Sequence, residues 1–368
     1  MSKEAEAIWV GTREGGIFKV SRKSGGWAAS EPSLAGKGLM CLSLNSSGET
    51  LYAGFFRGGV YRSRDGGKSW EKKSNGITES DVRAIAIHPK DENVVFAGTE
   101  PCALFVSTNG GESWEETRSF RETEVAKRAF FPVPPNIGHV RTIEFSPGNP
   151  DMMYAGIEVS GLLVSEDGGK SWKEEGPLSK DIHRIVVHPA RPDRVVASTA
   201  DDTPPYDLRG GHGVYVSEDY GRSWKQKNKG LGIRTYCEDA IAFDPLDPDT
   251  IYIATADGVP PYWANPKMME VGFQGGFGYW PEPLKGTRAA GADLMVFRSK
   301  NVGESWEPMM PGLSGPLFDM VWAMEIGPSR ELFMGSTDGR VFRADEPGSP
   351  WREIHSGLPI ITHIKLAP

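Results

Sequence analysis

One octapeptide recurs along the chain and limits what it can fold into. Ser63-Arg64-Asp65-Gly66-Gly67-Lys68-Ser69-Trp70 returns as Ser107-Thr108-Asn109-Gly110-Gly111-Glu112-Ser113-Trp114 and as Ser165-Glu166-Asp167-Gly168-Gly169-Lys170-Ser171-Trp172. Looser copies run from 217 to 224 and from 299 to 306, and worn ones span 21–27 and 344–351. Seven of the eleven tryptophans occupy its last position. A segment repeated in this way marks one supersecondary unit that buries its apolar face against copies of itself.

The octapeptide has turn chemistry. An Asp or Asn side chain accepts hydrogen bonds from backbone amides two residues on, and Gly supplies the positive φ of a tight hairpin. The Ser and Trp then start the next strand, with the indole packed under the turn. Two strands precede each copy, as in residues 82–89 and 94–99, a pattern repeated at 140–147 with 153–157 and at 182–189 with 195–199. The same pair recurs at 241–245 with 251–255 and at 321–328 with 332–336. Period-two alternation rich in β-branched residues predicts strands rather than helices. Each repeat therefore reads as strands a, b, c and a short d, which is a propeller blade. The chain starts on a b strand at residues 7–11 and ends on a lone a strand at 362–368. One blade is thus built from both ends, which closes the ring and removes a free sheet edge. The expectation is all-β: a single seven-bladed propeller over residues 1–368, with insertions at 118–138, 200–213 and 257–292. His88 and His188, just before the turn proline of strand a, read as structural.

The octapeptide resembles the Asp box, or BNR repeat, of sialidases, xyloglucanases, sortilin-type receptors and a photosystem II assembly factor. The resemblance covers nearly the whole chain and implies a propeller whose boxes face away from any active site. A sialidase is not implied, because those enzymes have six blades and an early Arg-Ile-Pro motif.

Composition narrows the class. A formal net charge of −8 argues against a nucleic-acid backbone as partner. No apolar run reaches the 18 or so residues of a membrane span, and the opening MSKEAEAIWVGT lacks the apolar run of a signal peptide. Three cysteines with no CxxC pair suit a reducing, cytoplasmic compartment. Oligomeric state is not legible.

Candidate chemistry lies on the face shared by the d-to-a and b-to-c loops. The second position of strand a reads Met40, Arg83, Arg141, His183, Glu238, Trp322 and Thr362, with Cys41, His139, Arg184, Asp239 and His363 beside it. The b-to-c turns carry Arg13, Glu14, Arg57, Glu100, Glu158, Asp201, Asp202, Asp257 and Asp338. Four of seven histidines, His139, His183, His212 and His363, map here. One reading is a rim of mutually paired charges. The other is a polar site in which Arg83 and Arg141 clamp an anion, since guanidinium forks fit carboxylate and phosphate. His183, with Glu238 and Asp239, then supplies acid–base groups or ligands for a divalent metal, the one cofactor this set suggests. Arg184, Glu100, Glu158, Trp322 and His363 complete the expected contacts. The insertions add Tyr206, Tyr262 and Trp263 as aromatic arms that suit a sugar-like ligand. Cys102 and Cys237 lack an adjacent histidine for a nucleophilic pair.

Two functions follow. One is an intracellular hydrolase- or lyase-type enzyme acting on a small polar, anionic or sugar-like molecule at the channel mouth. The other is a non-catalytic binding or assembly module, as the resemblance to the photosystem factor implies. A single propeller lacks the cleft between two propellers in which the xyloglucanases work.

Overall fold

The computed structural model describes residues 4–131, 136–176, 181–200, 213–231, 240–256, 294–313 and 319–367. These residues form seven four-stranded antiparallel sheets arranged as a ring of blades. Blade three is representative, with strand a at Asp81–Ile87, b at Val95–Glu100, c at Ala103–Ser107 and d at Glu115–Glu116. Blade one takes strand a from Ile361–Ala367 and strand b from Ala7–Thr12, in register from Ala7 opposite Ala367 to Gly11 opposite His363. The expected closure from both ends is therefore present.

There is no single core. The buried side chains fall into seven clusters, one at each blade–blade interface. A glycine in strand b sets how closely neighbours approach. A Cβ at Gly98 would stand 2.5 Å from Val140 Cγ1 of the next blade, and one at Gly156 would stand 2.7 Å from Ile182 Cγ2. Gly11 faces Leu39 and Gly54 faces Val82 in the same way. Each notch receives the aliphatic residue that opens strand a of the following blade.

The boxes turn as expected, by a different set of bonds. Ser63 Oγ takes the amides of Asp65 (3.3 Å) and Gly67 (2.9 Å), while Asp65 Oδ1 reaches four residues on to the amide of Ser69 (2.9 Å). The serine thus does the short-range capping expected of the Asp. Six of the seven box tryptophans sit just before strand d, Trp27 of the worn first copy lying within it, and the N–H groups of those six have two kinds of acceptor. Trp70, Trp172 and Trp224 donate to the second glycine of their own box. Trp114, Trp306 and Trp351 donate to Lys73, Lys227 and Met309 of the preceding blade. The second glycine is also a contact, for Gly67 lies against Trp9 and Gly221 against Tyr154 of the preceding blade. The box ties blades together as well as turning the chain.

His88 and His188 are structural, as expected. Each Nδ1 accepts two amides of the following turn, from Lys90 and Asp91 and from Ala190 and Arg191. Asp244 takes the same place in blade six, accepting from Leu246 and Asp247.

Candidate functional site

The second position of strand a is a β-bulge. Val82 pairs with Thr99 and Ala84 with Gly98, leaving Arg83 as the extra residue. The same skip isolates Met40, Arg141, His183, Trp322 and Thr362. A bulge bends its strand and re-aims the unpaired side chain. Six described blades therefore present one such residue each at the start of the innermost strand, the end that meets the b-to-c turns.

Around blades three to five these residues build a buried line of alternating charge. Arg83 Nη2 lies 2.5 Å from Glu100 Oε2, and the same oxygen is 3.1 Å from His139 Nδ1. His139 Nε2 bonds Glu158 Oε2, which also faces Arg141 Nε at 3.7 Å. The other oxygen, Oε1, faces His183 Nε2 at 3.8 Å, and that nitrogen is 3.4 Å from Asp181 Oδ1. His139, Glu158, Asp181 and His183 are all less than a tenth exposed. Toward blade two the line continues to Asp81 of blade three, whose carboxylate accepts the amide of Arg57.

Burial disfavours the charged forms of His139, Glu158, Glu100 and Asp81, and for the first three the partners overturn it. The His139 imidazole is buried, yet Glu158 and Glu100 raise its pKa. Glu158 is buried too, but His139, Arg141 and His183 hold its carboxyl well below the usual range. Glu100 is likewise lowered, against burial, by its bond to His139 and by Arg83. Asp81 goes the other way, because its burial exceeds the help from the Arg57 amide and Arg83. Coulomb attraction is strong in such surroundings, and so is the cost of removing one partner.

The insertion after blade three covers this line. It forms helices α1 (Arg118–Arg121) and α2 (Glu124–Lys127), anchored by Phe120 edge-on to Trp172 at 5.4 Å. Its buried Phe131 then lies over His139, with ring centroids 5.4 Å apart. The insertion thus lays apolar cover over one side of the charged line.

Other expected residues lie further round the ring. Trp322 has the Arg13 guanidinium over its ring at 5.8 Å. The imidazole of His363 pairs with Thr362 Oγ1 at 2.9 Å. Burial, helped by Lys365, Arg141, Arg184 and Arg13, pushes the His363 pKa down to about 3, so it is neutral. Arg184 influences both His363 and Glu144, a half-buried carboxyl whose pKa is raised. Lys365 Nζ pairs with Glu325 Oε1 at 2.5 Å. On blade seven, Asp319 is pushed up to about 6 by burial and by neighbouring Asp338.

The geometry alters the sequence reading in two respects. Arg83 and Arg141 do not form the expected pair of arms around one anion; each already faces a carboxylate, Glu100 and Glu158. Asp181, which the sequence reading passed over, stands beside His183. A signal for it was present, since Asp81-Val82-Arg83, His139-Val140-Arg141 and Asp181-Ile182-His183 share one polar–aliphatic–polar step before the bulge. Burial pushes the Cys41 and Cys102 thiols up to about 12, which removes nucleophilic character. Glu238, Asp239, Cys237, Tyr206, His212, Tyr262 and Trp263 lie outside the described residues, as do residues 201–212 of the insertion at 200–213 and all of that at 257–292.

Known proteins share this architecture. The sortilin and neurotensin receptor 3 family description matches residues 58–155, and the BNR-Asp box repeat matches residues 214–227. A probable oligoxyloglucan-reducing end-specific xyloglucanase of Neosartorya fischeri is 21% identical, over 97% of this chain and 44% of its own length. The chain thus spans less than half of that relative. Among solved structures, YCF48 bound to D1 peptide superposes with a TM-score of 0.54 at 14% identity, covering 96% of this chain and 88% of that one. An ancestral GH74 enzyme gives a TM-score of 0.51 at 14% identity, covering 95% and 53%.

Proposed function

We propose that this propeller of Asp-box repeats is a glycoside-hydrolase-like enzyme, of hydrolase or lyase type, acting on a small sugar-like or anionic molecule at the mouth of its channel. The observation that carries the reading is the buried cluster of Glu158, Asp181 and His183, from adjacent blades and within reach of one another. Burying three ionisable groups together is costly for folding alone, and perturbed, desolvated groups of this kind concentrate where chemistry is done. Glu158 is held as a carboxylate by His139 and Arg141. His183, flanked by that carboxylate and Asp181, completes a polar centre that activates water or a substrate group. Arg141, Arg184 and Arg13 supply positive charge for an anionic substrate, and Phe131 limits water. The xyloglucanase relative supports sugar chemistry; the polymer substrate of that longer protein is not carried over to one propeller. Two free, buried cysteines, Cys41 and Cys102, fit a reducing compartment.

The test is turnover of a panel of small aryl glycosides, uronides and xyloglucan-derived oligosaccharides, followed by reducing-end release and by absorbance of unsaturated products. Glu158→Gln and His183→Ala are expected to lose at least 100-fold in kcat/KM. Circular dichroism and melting temperature establish that they fold. Unchanged turnover in both folded variants would sink the site.

A second reading has its own support. The YCF48 structure, bound to D1 peptide, is of matching extent, and on that reading this chain holds a peptide segment at its channel mouth. That reading gains if no compound in the panel turns over and a carboxylate-ended peptide binds with an affinity sensitive to Arg141→Ala.

A further inference from the structure

We infer that Glu158, Asp181 and His183 form a binding site for one divalent first-row metal ion at the channel mouth. The inference rests on the proposed site and identifies what occupies it. The three residues each offer one ligand atom, and all three atoms lie within 4.8 Å of one another.

The spacing argues for an ion rather than for direct bonds. His183 Nε2 is 3.4 Å from Asp181 Oδ1 and 3.8 Å from Glu158 Oε1. Good N–H···O bonds span about 2.7–3.2 Å. On an ion with bonds of about 2.1 Å, neighbouring ligand atoms stand about 3.4 Å apart in tetrahedral geometry. The two His183 separations need only a few tenths of an ångström of adjustment to reach that, and the two carboxylate oxygens, within 4.8 Å of each other, close up around the ion. The two carboxylates are also closer than a glycosidase pair, which stands about 5–5.5 Å apart in retaining enzymes and about 6.5–9.5 Å apart in inverting ones. They suit a shared ion better than separate acid and nucleophile roles.

The orientation of Glu158 fits as well. Its Oε2 is taken by His139 and faces Arg141, so both cations lie on one side of the carboxylate. Its Oε1 points at His183. Hydrogen bonding of the far side of a ligating carboxylate is the usual outer support of a metal centre. Asp181 and His183 stand two residues apart on one strand, on either side of Ile182, with His183 as the bulge residue. The bulge is what brings the His183 side chain within reach of both carboxylates. One imidazole and two carboxylates suit Zn²⁺ or Mn²⁺.

The experiment dialyses the full chain against chelator and titrates it with MnCl₂ and, separately, ZnCl₂ by calorimetry. Elemental analysis gives the stoichiometry after desalting. One ion per chain is expected, with a melting temperature that rises and saturates as free metal increases. Asp181→Asn and His183→Gln should each weaken binding at least tenfold. Cobalt substitution gives a check needing no variant: visible absorption typical of N/O ligation should appear at one equivalent. No stoichiometric binding by the wild-type chain overturns the inference, as does wild-type affinity in both variants. Absent binding together with turnover in the metal-free chain overturns it, yet leaves the proposed enzyme standing. A bound ion with no turnover on any compound supports it while removing the enzyme.

Discussion

His139 and His363 sit close to the same channel and are held in opposite protonation states. His139 lies between Glu100 and Glu158, and those carboxylates keep its proton on. His363 is surrounded by Lys365, Arg141, Arg184 and Arg13, which, with burial, keep its proton off. The two should therefore limit stability on opposite sides of neutrality. The folded chain binds the His139 proton more tightly than the unfolded chain, whose histidines titrate near 6.5. That contribution is complete below about pH 6.5 and is lost as pH rises through the raised value. For His363 the folded pKa is about 3. Its contribution is present above about pH 6.5 and is lost as pH falls from there toward 3, since only the unfolded chain gains the proton. Each tenfold change in proton affinity is worth about 1.4 kcal/mol. Urea melts across pH 4–9 should show both limbs. His139→Gln should flatten the alkaline limb, and His363→Asn the acid one between pH 6.5 and 4. Limbs unchanged in these variants would refute the assignment.

The blades and their order were legible because the signals are local. A Gly-rich turn and an alternating strand are read within ten residues, and Ser63 through Trp70 carries both. The seven candidates at the second position of strand a were legible for the same reason, and six coincide with bulges. Contacts between blades were not legible. Nothing near Trp114 says that its N–H will reach Lys73, or near Trp70 that its own Gly67 will serve. Glu100 and His139 meet only after strand a of blade four docks beside blade three. The signal for Asp181 is the repeat position it shares with Asp81 and His139, which is legible only between blades and not within one.

At the scale of elements, the glycine notch makes a sharp prediction. Gly98→Ala places a Cβ 2.5 Å from Val140 Cγ1, and overpacking of this kind costs about 1–3 kcal/mol. The added Cβ also meets Val140 Cβ at 2.6 Å, so the double variant Gly98→Ala/Val140→Gly restores the space, and the effects should be non-additive in denaturant melts. Simple additivity would show that the notch does not set the blade spacing.

For the whole molecule, stability depends on closing the ring. The last strand, Ile361–Ala367, pairs with Ala7–Thr12 and contributes Ile361 and Ile364 to the interface of blades seven and one. Deleting residues 361–368 bares strand b of blade one as an unpaired edge. The truncated chain should melt at least 10 °C lower, or emerge as aggregate, on size exclusion with thermal scanning. A melting temperature unchanged by the deletion would show that the ring does not need its clasp. Supplying residues 358–368 as a separate peptide should recover part of the loss.

The bulge in strand a has a consequence for how such a ring can change. Its residue takes no place in the ladder, so exchanging it leaves the pairing of the sheet untouched. The interblade clusters, which carry the stability, lie behind it. The six described bulges spell Met, Arg, Arg, His, Trp and Thr around the ring. Each letter can be rewritten singly while the scaffold's grammar stays fixed. A ring of this kind can acquire a new ligand by spelling alone.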